Sequence, residues 1–316
     1  MIFSIVDRKK WGLFSHSYDL HKLYLGQDVS IECLHCEDAN PLVSTFSFID
    51  LARRCRRGDT LLIWNVGLCF ILSPIFRLFG VVTIYTYHEP ASLNERFGKV
   101  GLSIKPIIVS LLFLIYMKLF TRIVVLNRSK AVSLGFNYAP LPFIQEKKCS
   151  DRLIIPGSDL CLVFLGAPIE SRMIGQFREI VESESFRSRG WTYRFFPSRD
   201  CFTEQQKTVL LTERKSVIWN PFSVPYNQSG VTVDGMRNSV PTIVSQYEVI
   251  GLEERDDPFM RVDSRCIDPE IFFDELDTIC RDYFHFVDQI YAYSCKHFSP
   301  KIVRSHWDLV LGVSSQ

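Results

Sequence analysis

The chain has 316 residues, of which 47% are hydrophobic and 22% are charged, which excludes a disordered or fibrous chain and suits two globular domains of about 150 residues. The formal net charge of +1 combines a basic first half, with a net charge of +7 over residues 1–150, and an acidic second half, with −6 over residues 151–316. This asymmetry predicts two domains with different partners.

The first half alternates short apolar strands with helices, which is typical of an α/β domain with a parallel, doubly wound sheet. We therefore predict a Rossmann-like domain at residues 1–145. Its strands are predicted at Ile2–Val6, Val29–Leu34, Thr60–Trp64, Val82–Tyr87, Arg122–Leu126 and near Asn137–Ala139. Its helices are predicted at Ser17–Leu25, Ser44–Arg57, Leu68–Phe79, Lys105–Phe120 and Ser129–Leu134.

A linker is predicted at Pro140-Leu-Pro and the polar residues 145–151, after which the same pattern restarts. The second half has predicted strands at Leu160–Leu165, Thr192–Phe196 and Ser216–Trp219, and predicted helices at Met173–Ser183 and Thr203–Leu211. These elements predict a second Rossmann-like domain at residues 150–290. A long helical region is predicted at Pro269–Phe298, and residues 291–316 are expected to pack back towards the first domain.

The cysteines give no sign of a secreted protein. The ten cysteines lack the dense spacing of a disulfide scaffold, and the chain opens on a short strand rather than a signal peptide, so a reducing, cytoplasmic location is expected. Cys33-Leu-His-Cys36 has the spacing of metal ligands, but the segment around it, Val29–Leu34, is predicted to be a strand. No second Cys or His pair stands at a zinc-site interval, so we expect no metal there.

Two apolar stretches raise the question of membrane contact. Residues 61–76 contain Asn, Gly and Pro, and the uncharged residues Pro106–Met117 would span about 18 Å as a helix against a hydrocarbon core of about 30 Å, so neither should cross a bilayer. The helix at 106–117 either lies in the headgroup region or packs inside its domain. The run of Arg53, Arg54, Arg56 and Arg57 favours peripheral contact with an anionic cytoplasmic membrane face. No nucleic-acid motif is visible.

Polar residues at the ends of strands are the candidate site residues of the first domain, because ligands of open α/β sheets bind outside the carboxyl ends of the strands. His88 and Glu89 follow a strand and could transfer protons or contact sugar hydroxyls. A structural, hydrogen-bonded His88 is the alternative. Asn127 also follows a strand, where it either lines the cleft or caps a helix, and Glu95 is a further acceptor-side or cleft candidate.

In the second domain, Gly166 follows a predicted strand and would allow close approach of a ligand to the backbone. Arg172, at the start of the next helix, could bind a phosphate with two hydrogen bonds, although a surface arginine is the alternative. The sequence contains no Asp-any-Asp triplet, so a diphosphate held by a metal has no obvious ligands. We therefore expect no metal and no cofactor.

Residues 217–245 are the most informative segment, because they predict a strand, a polar turn, a short helix and a further strand. The turn at Gln228, Ser229 and Gly230 would direct backbone N–H groups of a helix start at a phosphate. Asp234 lies one helical turn later, where its carboxylate could bind ribose hydroxyls. The segment therefore predicts a nucleotide ligand, and an ordinary strand–turn–helix connection is the alternative.

Together these residues resemble the GT-B glycosyltransferases, and most nearly glycosyltransferase family 4 and its bacterial polysaccharide-assembly relatives. His88-Glu-Pro90 resembles the family's His-containing turn, and Ile123–Asn127 its strand with Val-Leu and a small polar residue. Gly166 and Arg172 have the spacing of its glycine and basic residue, and Asp234 falls on the second of its two acidic positions. The resemblance implies a GT-B fold, with two Rossmann-like doubly wound domains facing across a cleft.

The resemblance also implies a function: transfer of a sugar from a nucleotide-sugar donor to a lipid-linked or polysaccharide acceptor at the cytoplasmic membrane face. If the reaction inverts the anomeric centre, Glu89 could act as the base, and if it retains it, His88 would orient the hexose. Two alternatives stay open. Ala167 and Tyr226 replace an Arg and an acidic residue of the family, which favours a catalytically silent subunit of a membrane assembly. A sugar-nucleotide epimerase could use the same scaffold.

Overall fold

The computed structural model divides the chain into two compact units. The first unit is built mainly from Met1–Ile144 and Pro300–Gln316, and the second from Gln145–Ile250 and Glu254–Ser299. The structure describes residues 1–7, 11–26, 29–36, 41–64, 71–87, 115–126, 128–144, 159–166, 168, 170–197, 204–223, 229–246 and 257–313.

The first unit contains a six-stranded sheet in the order β2-β1-β3-β4-β5-β6, and every pair of neighbours in it is parallel. Its central strands read as continuous apolar runs because both of their faces are covered. The strands are β1 (Ile2–Asp7), β2 (Ile31–Cys36), β3 (Thr60–Ile63), β4 (Val82–Tyr87), β5 (Arg122–Val125) and β6 (Asn137–Tyr138).

Helical segments connect these strands and bury one face against the sheet. They are α1 (Trp11–Leu23), α2 (Pro41–Arg54), the 3₁₀ helix Ser73–Phe79 and α3 (Arg128–Leu134). One core cluster joins Leu51 of α2, Phe76 of the 3₁₀ helix, and Met117 and Phe120, which precede β5. Three successive connections therefore share one face of the sheet.

The second unit contains a five-stranded parallel sheet in the order β11-β10-β9-β7-β8. Its strands are β7 (Cys161–Leu165), β8 (Thr192–Phe196), β9 (Ser216–Trp219), β10 (Thr242–Ser245) and β11 (Met260–Val262). Its helices are the 3₁₀ turn Glu170–Arg172, α4 (Ile174–Glu182), α5 (Glu184–Ser188), α6 (Glu204–Thr212), α7 (Gly230–Arg237), α8 (Pro269–Arg281) and α9 (Tyr283–Phe298). Aromatic rings dominate its core, where Phe177 contacts both Phe164 and Trp219.

The last helix, α10 (Pro300–Leu311), belongs to the first unit. Trp307 is fully buried there: its indole nitrogen donates a hydrogen bond to the Pro140 carbonyl at 3.0 Å, and its ring lies 5.4 Å from that of Trp64. The Tyr24 hydroxyl donates a hydrogen bond to Asp308 at 2.6 Å. Both packing and hydrogen bonds thus hold α10 against the rest of the first unit.

The α/β architecture predicted from the sequence is confirmed, since both sheets are parallel and doubly wound. Some local predictions differ from the structure, beginning with α1, which starts at Trp11 rather than Ser17 and ends at Leu23 rather than Leu25. Ser73–Phe79 is a 3₁₀ helix rather than an α-helix, and the predicted helix Pro269–Phe298 is two helices separated at Asp282. The short edge strand β11 was not expected, because three residues are too few for a clear pattern.

Two further expectations concern the membrane and metals. Among the described residues, no helix combines the length and the apolar character that crossing a bilayer would require. Cys33 lies in β2, as predicted, and β2 extends to Cys36, two residues beyond the predicted strand end at Leu34. In the described part of the chain, no group of three or more His, Cys, Asp or Glu side chains is placed to bind a metal ion.

Replacing Trp307 by Ala should lower the free energy of unfolding by about 3–5 kcal/mol, because it leaves a large cavity between α10 and the first sheet. Urea denaturation followed by circular dichroism measures this change. The matched control is Leu309→Ala on the same helix, where the side chain is 78% exposed and the change should stay within about 0.5 kcal/mol. An equal loss of unfolding free energy in both variants would contradict the packing of Trp307 inside the first unit.

His306 should make the stability of the protein depend on pH. Partial burial and the charge of Arg128 lower the pKa of His306, which packs edge-on against Tyr138 with ring centres 5.1 Å apart. The folded protein therefore binds the His306 proton less readily than the unfolded chain, and stability is lost as the pH falls below about 6.5. In His306→Gln, urea unfolding between pH 7 and 5 should show a smaller loss than in the wild type.

Candidate functional site at the strand ends of the second unit

The carboxyl ends of β7, β9 and β10 lie at one edge of the second sheet because all its strands are parallel. Gly166 directly follows β7 and Asn220 directly follows β9. Helix α7 begins at Gly230, after the segment that leaves β9. This edge is where ligands of open α/β sheets bind, so its polar side chains are the candidates for function.

Gly166 has a left-handed backbone conformation, with φ of +95°, and its N–H donates a hydrogen bond to the carbonyl of Phe196 at 2.9 Å. A Cβ atom at this position would lie 2.6 Å from Nη1 of Arg172. Any other residue would therefore be strained and would displace the guanidinium group. The glycine predicted from the sequence is required by the close approach of Arg172.

Arg172 ends the 3₁₀ turn Glu170–Arg172, and it is buried, with only 6% of its surface exposed. Its Nη2 donates a hydrogen bond to Oδ1 of Asn220 at 2.8 Å. The guanidinium carbon lies 5.0 Å from the ring centre of Phe164 and 5.7 Å from that of Phe222. The structure thus holds a positive charge in one position at the edge of the sheet, and Arg172 is not an ordinary surface arginine.

Asn220 connects this arginine to the beginning of α7. Its Oδ1 also accepts a hydrogen bond from the Ser229 hydroxyl at 3.4 Å, and its Nδ2 donates one to the Thr232 hydroxyl at 2.8 Å. Ser229 is the N-cap of α7, since its hydroxyl accepts a hydrogen bond from the Val231 N–H at 3.2 Å. The N-terminus of this helix, with its partial positive charge, is therefore tied to Arg172.

Asp234 lies in α7, one turn after Gly230, as predicted, but its carboxylate is already engaged. Oδ2 lies 3.2 Å from Nζ of Lys207 in α6, and Oδ1 lies 4.0 Å from Nη1 of Arg237. All three side chains are largely buried. A ribose hydroxyl bound by Asp234 would have to share the carboxylate with these cations.

Five of the predicted site residues lie outside the described residues: His88, Glu89, Glu95, Asn127 and Gln228. The structure does show that β4 ends at Tyr87 and β5 at Val125, and that these two residues are partners in neighbouring parallel strands. His88 and Glu89 directly follow Tyr87 in the sequence. Their predicted roles stay predictions.

Asn220 and Lys207 are two residues of this site that were not predicted from the sequence. Asn220 could have been found, because an amide between the buried strand Ser216–Trp219 and Pro221 stands at a strand end. Lys207 carried no such signal. It lies within a helix of mixed polar residues, and only the packing of α6 beside α7 brings it to Asp234.

Comparison with solved structures identifies the architecture. The Anabaena protein HepE, in complex with UDP and glucose, has a TM-score of 0.64 and 9% sequence identity, with 99% of each chain covered. WaaG, a glycosyltransferase involved in lipopolysaccharide biosynthesis, has a TM-score of 0.57 and 10% identity over 99% of this chain and 100% of its own. The galactosyltransferase WaaB has a TM-score of 0.56 and 7% identity, with 98% of each chain covered.

The chain has the GT-B fold. No protein-family model and no curated protein sequence matches it. The similarity is thus one of three-dimensional structure. It confirms the GT-B fold with two Rossmann-like domains that the sequence resemblance implied. In this GT-B chain, the strand-end groups around Arg172 belong to the second of the two domains.

Gly166→Ala should lower the free energy of unfolding by about 1–3 kcal/mol, because the methyl group is strained at a positive φ and collides with Arg172. Gly175→Ala, nine positions later in the sequence, is the matched control. A Cβ at Gly175 meets no atom within 4 Å, and alanine favours the helix, so this change should be neutral or slightly stabilising. Denaturant unfolding of both variants measures the difference, and equal stabilities would contradict the close contact.

Proposed function

We propose that the protein transfers a sugar from a nucleotide-sugar donor and binds the donor diphosphate at the strand ends of the second unit. The observation that carries this proposal is the buried guanidinium of Arg172, held against Gly166 and Asn220 and linked through Asn220 to the N-terminus of α7. A positive charge and a helix N-terminus together suit a diphosphate.

In this reaction the bond between the anomeric carbon and the diphosphate oxygen breaks, and the nucleoside diphosphate leaves with the electron pair. An acceptor oxygen forms the new bond to the anomeric carbon and loses its proton. Because negative charge develops on the leaving group, cations and N–H donors fixed beforehand stabilise the transition state more than the ground state. Arg172 and the first turn of α7 would supply this stabilisation.

We further propose that the reaction is independent of metal ions. The sequence has no Asp-any-Asp triplet to bind a metal at the diphosphate, whereas Arg172 and the α7 N-terminus provide positive charge at the proposed position. Activity should therefore persist in the presence of EDTA.

Uridine nucleotides are the first donors to test, because HepE, which shares the fold over 99% of this chain, binds UDP and UDP-glucose. Within the proposal, Asp234 contacts the ribose. On the acceptor side, in the first unit, Glu89 acts as the base if the reaction inverts the anomeric centre, and His88 orients the hexose if it retains it. Asn127 and Glu95 are assigned to the same side. The acceptor is proposed to be a lipid-linked or polysaccharide glycan at the cytoplasmic membrane face, in line with the role of WaaG in lipopolysaccharide biosynthesis.

Isothermal titration with UDP tests the donor site. Arg172→Ala should weaken UDP binding by about ten- to hundred-fold, because a charge-assisted contact contributes about 1.5–3 kcal/mol. Arg178→Ala, an exposed arginine on α4, should bind like the wild type. Since Arg172 is buried, its variant is compared with Arg172→Lys, which keeps the charge, and both are checked for folding by circular dichroism.

Two results would contradict the proposal. If the wild type binds no nucleoside diphosphate at millimolar concentration, the donor site is not there. If it binds one but neither transfers the sugar to an acceptor nor hydrolyses the donor, the protein is a silent subunit rather than an enzyme.

A further inference from the structure

The 3₁₀ helix Ser73–Phe79 exposes most of its large apolar side chains. It buries Phe76, but Leu78 is 84% exposed and Phe79 is 68% exposed, and Ile75 is also exposed. Gly80 then ends the helix in a left-handed conformation and leads the chain towards β4. Apolar side chains grouped in solvent in this way indicate a surface that meets an apolar partner.

The segment before β5 extends this surface. Ile115 and Leu119 are exposed, whereas Met117 and Phe120 join Phe76 in the core. The two segments are in direct contact, since Nη1 of Arg77 donates a hydrogen bond to the Leu119 carbonyl at 2.5 Å. We define the apolar patch by its six exposed members. They are Ile71, Ile75, Leu78, Phe79, Ile115 and Leu119.

Basic side chains lie next to the apolar patch among the described residues. The ring of Phe48 in α2 lies 5.3 Å from that of Phe76, which places α2 beside the 3₁₀ helix. Arg57, three residues after α2, lies against Gly80, where an added Cβ would be 2.8 Å from its Cγ. The basic rim has five exposed members. They are Arg53, Arg56, Arg57, Arg77 and Lys118.

In the described part of this region, Glu32, Asp50 and Asp59 form ion pairs, and so does Arg54. Arg54 binds Glu32, with Asp50 at 3.5 Å, so it faces β2 rather than the patch. Asp59 binds the amino group of Met1 at 2.9 Å and accepts a hydrogen bond from the Arg56 N–H at 2.7 Å. The other three arginines of this run are exposed, so the described residues of this surface carry positive charge.

We propose that the apolar patch and its basic rim dock on an anionic lipid bilayer. Leu78 and Phe79 enter the boundary between headgroups and acyl chains, while the guanidinium groups bind lipid phosphates. An apolar surface alone would fit any hydrophobic partner. The basic rim beside the apolar patch favours a bilayer, because anionic headgroups complement the arginines and the acyl chains complement the apolar side chains. This inference rests on the proposed membrane-presented acceptor, but it concerns a different unit from the donor site.

Co-sedimentation with vesicles tests the docking. The wild type should be retained by vesicles of phosphatidylcholine with phosphatidylglycerol, and much less by phosphatidylcholine alone or in high salt. The double variant Leu78→Ser/Phe79→Ser should bind at least about ten-fold more weakly, because it loses the buried apolar surface. Arg53→Gln and Arg57→Gln should each weaken binding about five-fold.

The matched control is Val132→Ser/Leu309→Ser, which changes two equally exposed apolar residues elsewhere in the first unit and should bind vesicles like the wild type. Equal retention of the wild type and Leu78→Ser/Phe79→Ser would overturn the proposal, as would absence of retention of the wild type. A dimer in solution that the double variant abolishes, without any vesicle binding, would assign the patch to a second copy of the chain and also overturn it.

The vesicle assay contains no nucleotide, so its outcome is independent of the donor site. UDP titration of Leu78→Ser/Phe79→Ser should match the wild type. If vesicles retain the wild type but it binds no nucleoside diphosphate, the donor-site proposal fails and the docking surface stands.

Discussion

The hydrogen bonds of the Asn220 side chain are the interaction on which the second unit's site depends. This one amide joins three parts of the chain that are distant in sequence: the turn ending at Arg172, the end of β9, and the first turn of α7. Because Asn220 is completely buried, each of its bonds forms away from water, where a lost partner is costly. The positions of the Arg172 guanidinium group and of the first turn of α7 therefore depend on the same side chain.

Burying a guanidinium group is expensive, and the surroundings of Arg172 show how the cost is offset. Asn220 accepts a hydrogen bond from the guanidinium group of Arg172, and the rings of Phe164 and Phe222 lie within cation–π distance of that group. Aromatic faces and an amide oxygen stabilise a cation without carrying a formal negative charge, unlike a carboxylate. A charge held in this way can still attract an anion at the edge of the sheet. The pair of Lys207 and Asp234 is different, because there the opposite charges meet directly.

The sequence predicted the architecture well because parallel strands buried on both faces leave a strong apolar signal. It also predicted that Gly166 follows a strand and that Arg172 lies just before a helix, as the structure shows, whereas their roles in ligand binding stay predictions. It could not predict that Arg172 lies against the Cα of Gly166, that Asn220 links it to α7, or that Lys207 meets Asp234. Those contacts depend on how loops and helices pack, because this packing brings together residues that are far apart in the sequence. The four-arginine run shows the same limit, because only the fold directs Arg54 to Glu32.

The two proposals use different parts of a doubly wound domain. Helical connections cover the faces of a parallel sheet, whereas loops at its carboxyl edge collect the polar groups. In the first unit, the described residues that lead into β4 include the 3₁₀ helix Ser73–Phe79, which has Pro74 in its first turn and is followed by Gly80. Such a segment packs one aromatic ring inward and turns its remaining apolar residues outward. Under the two proposals, a bilayer contacts this exposed surface over one face of the sheet, whereas the acceptor binds at the carboxyl ends of the strands, which are a different part of the first unit.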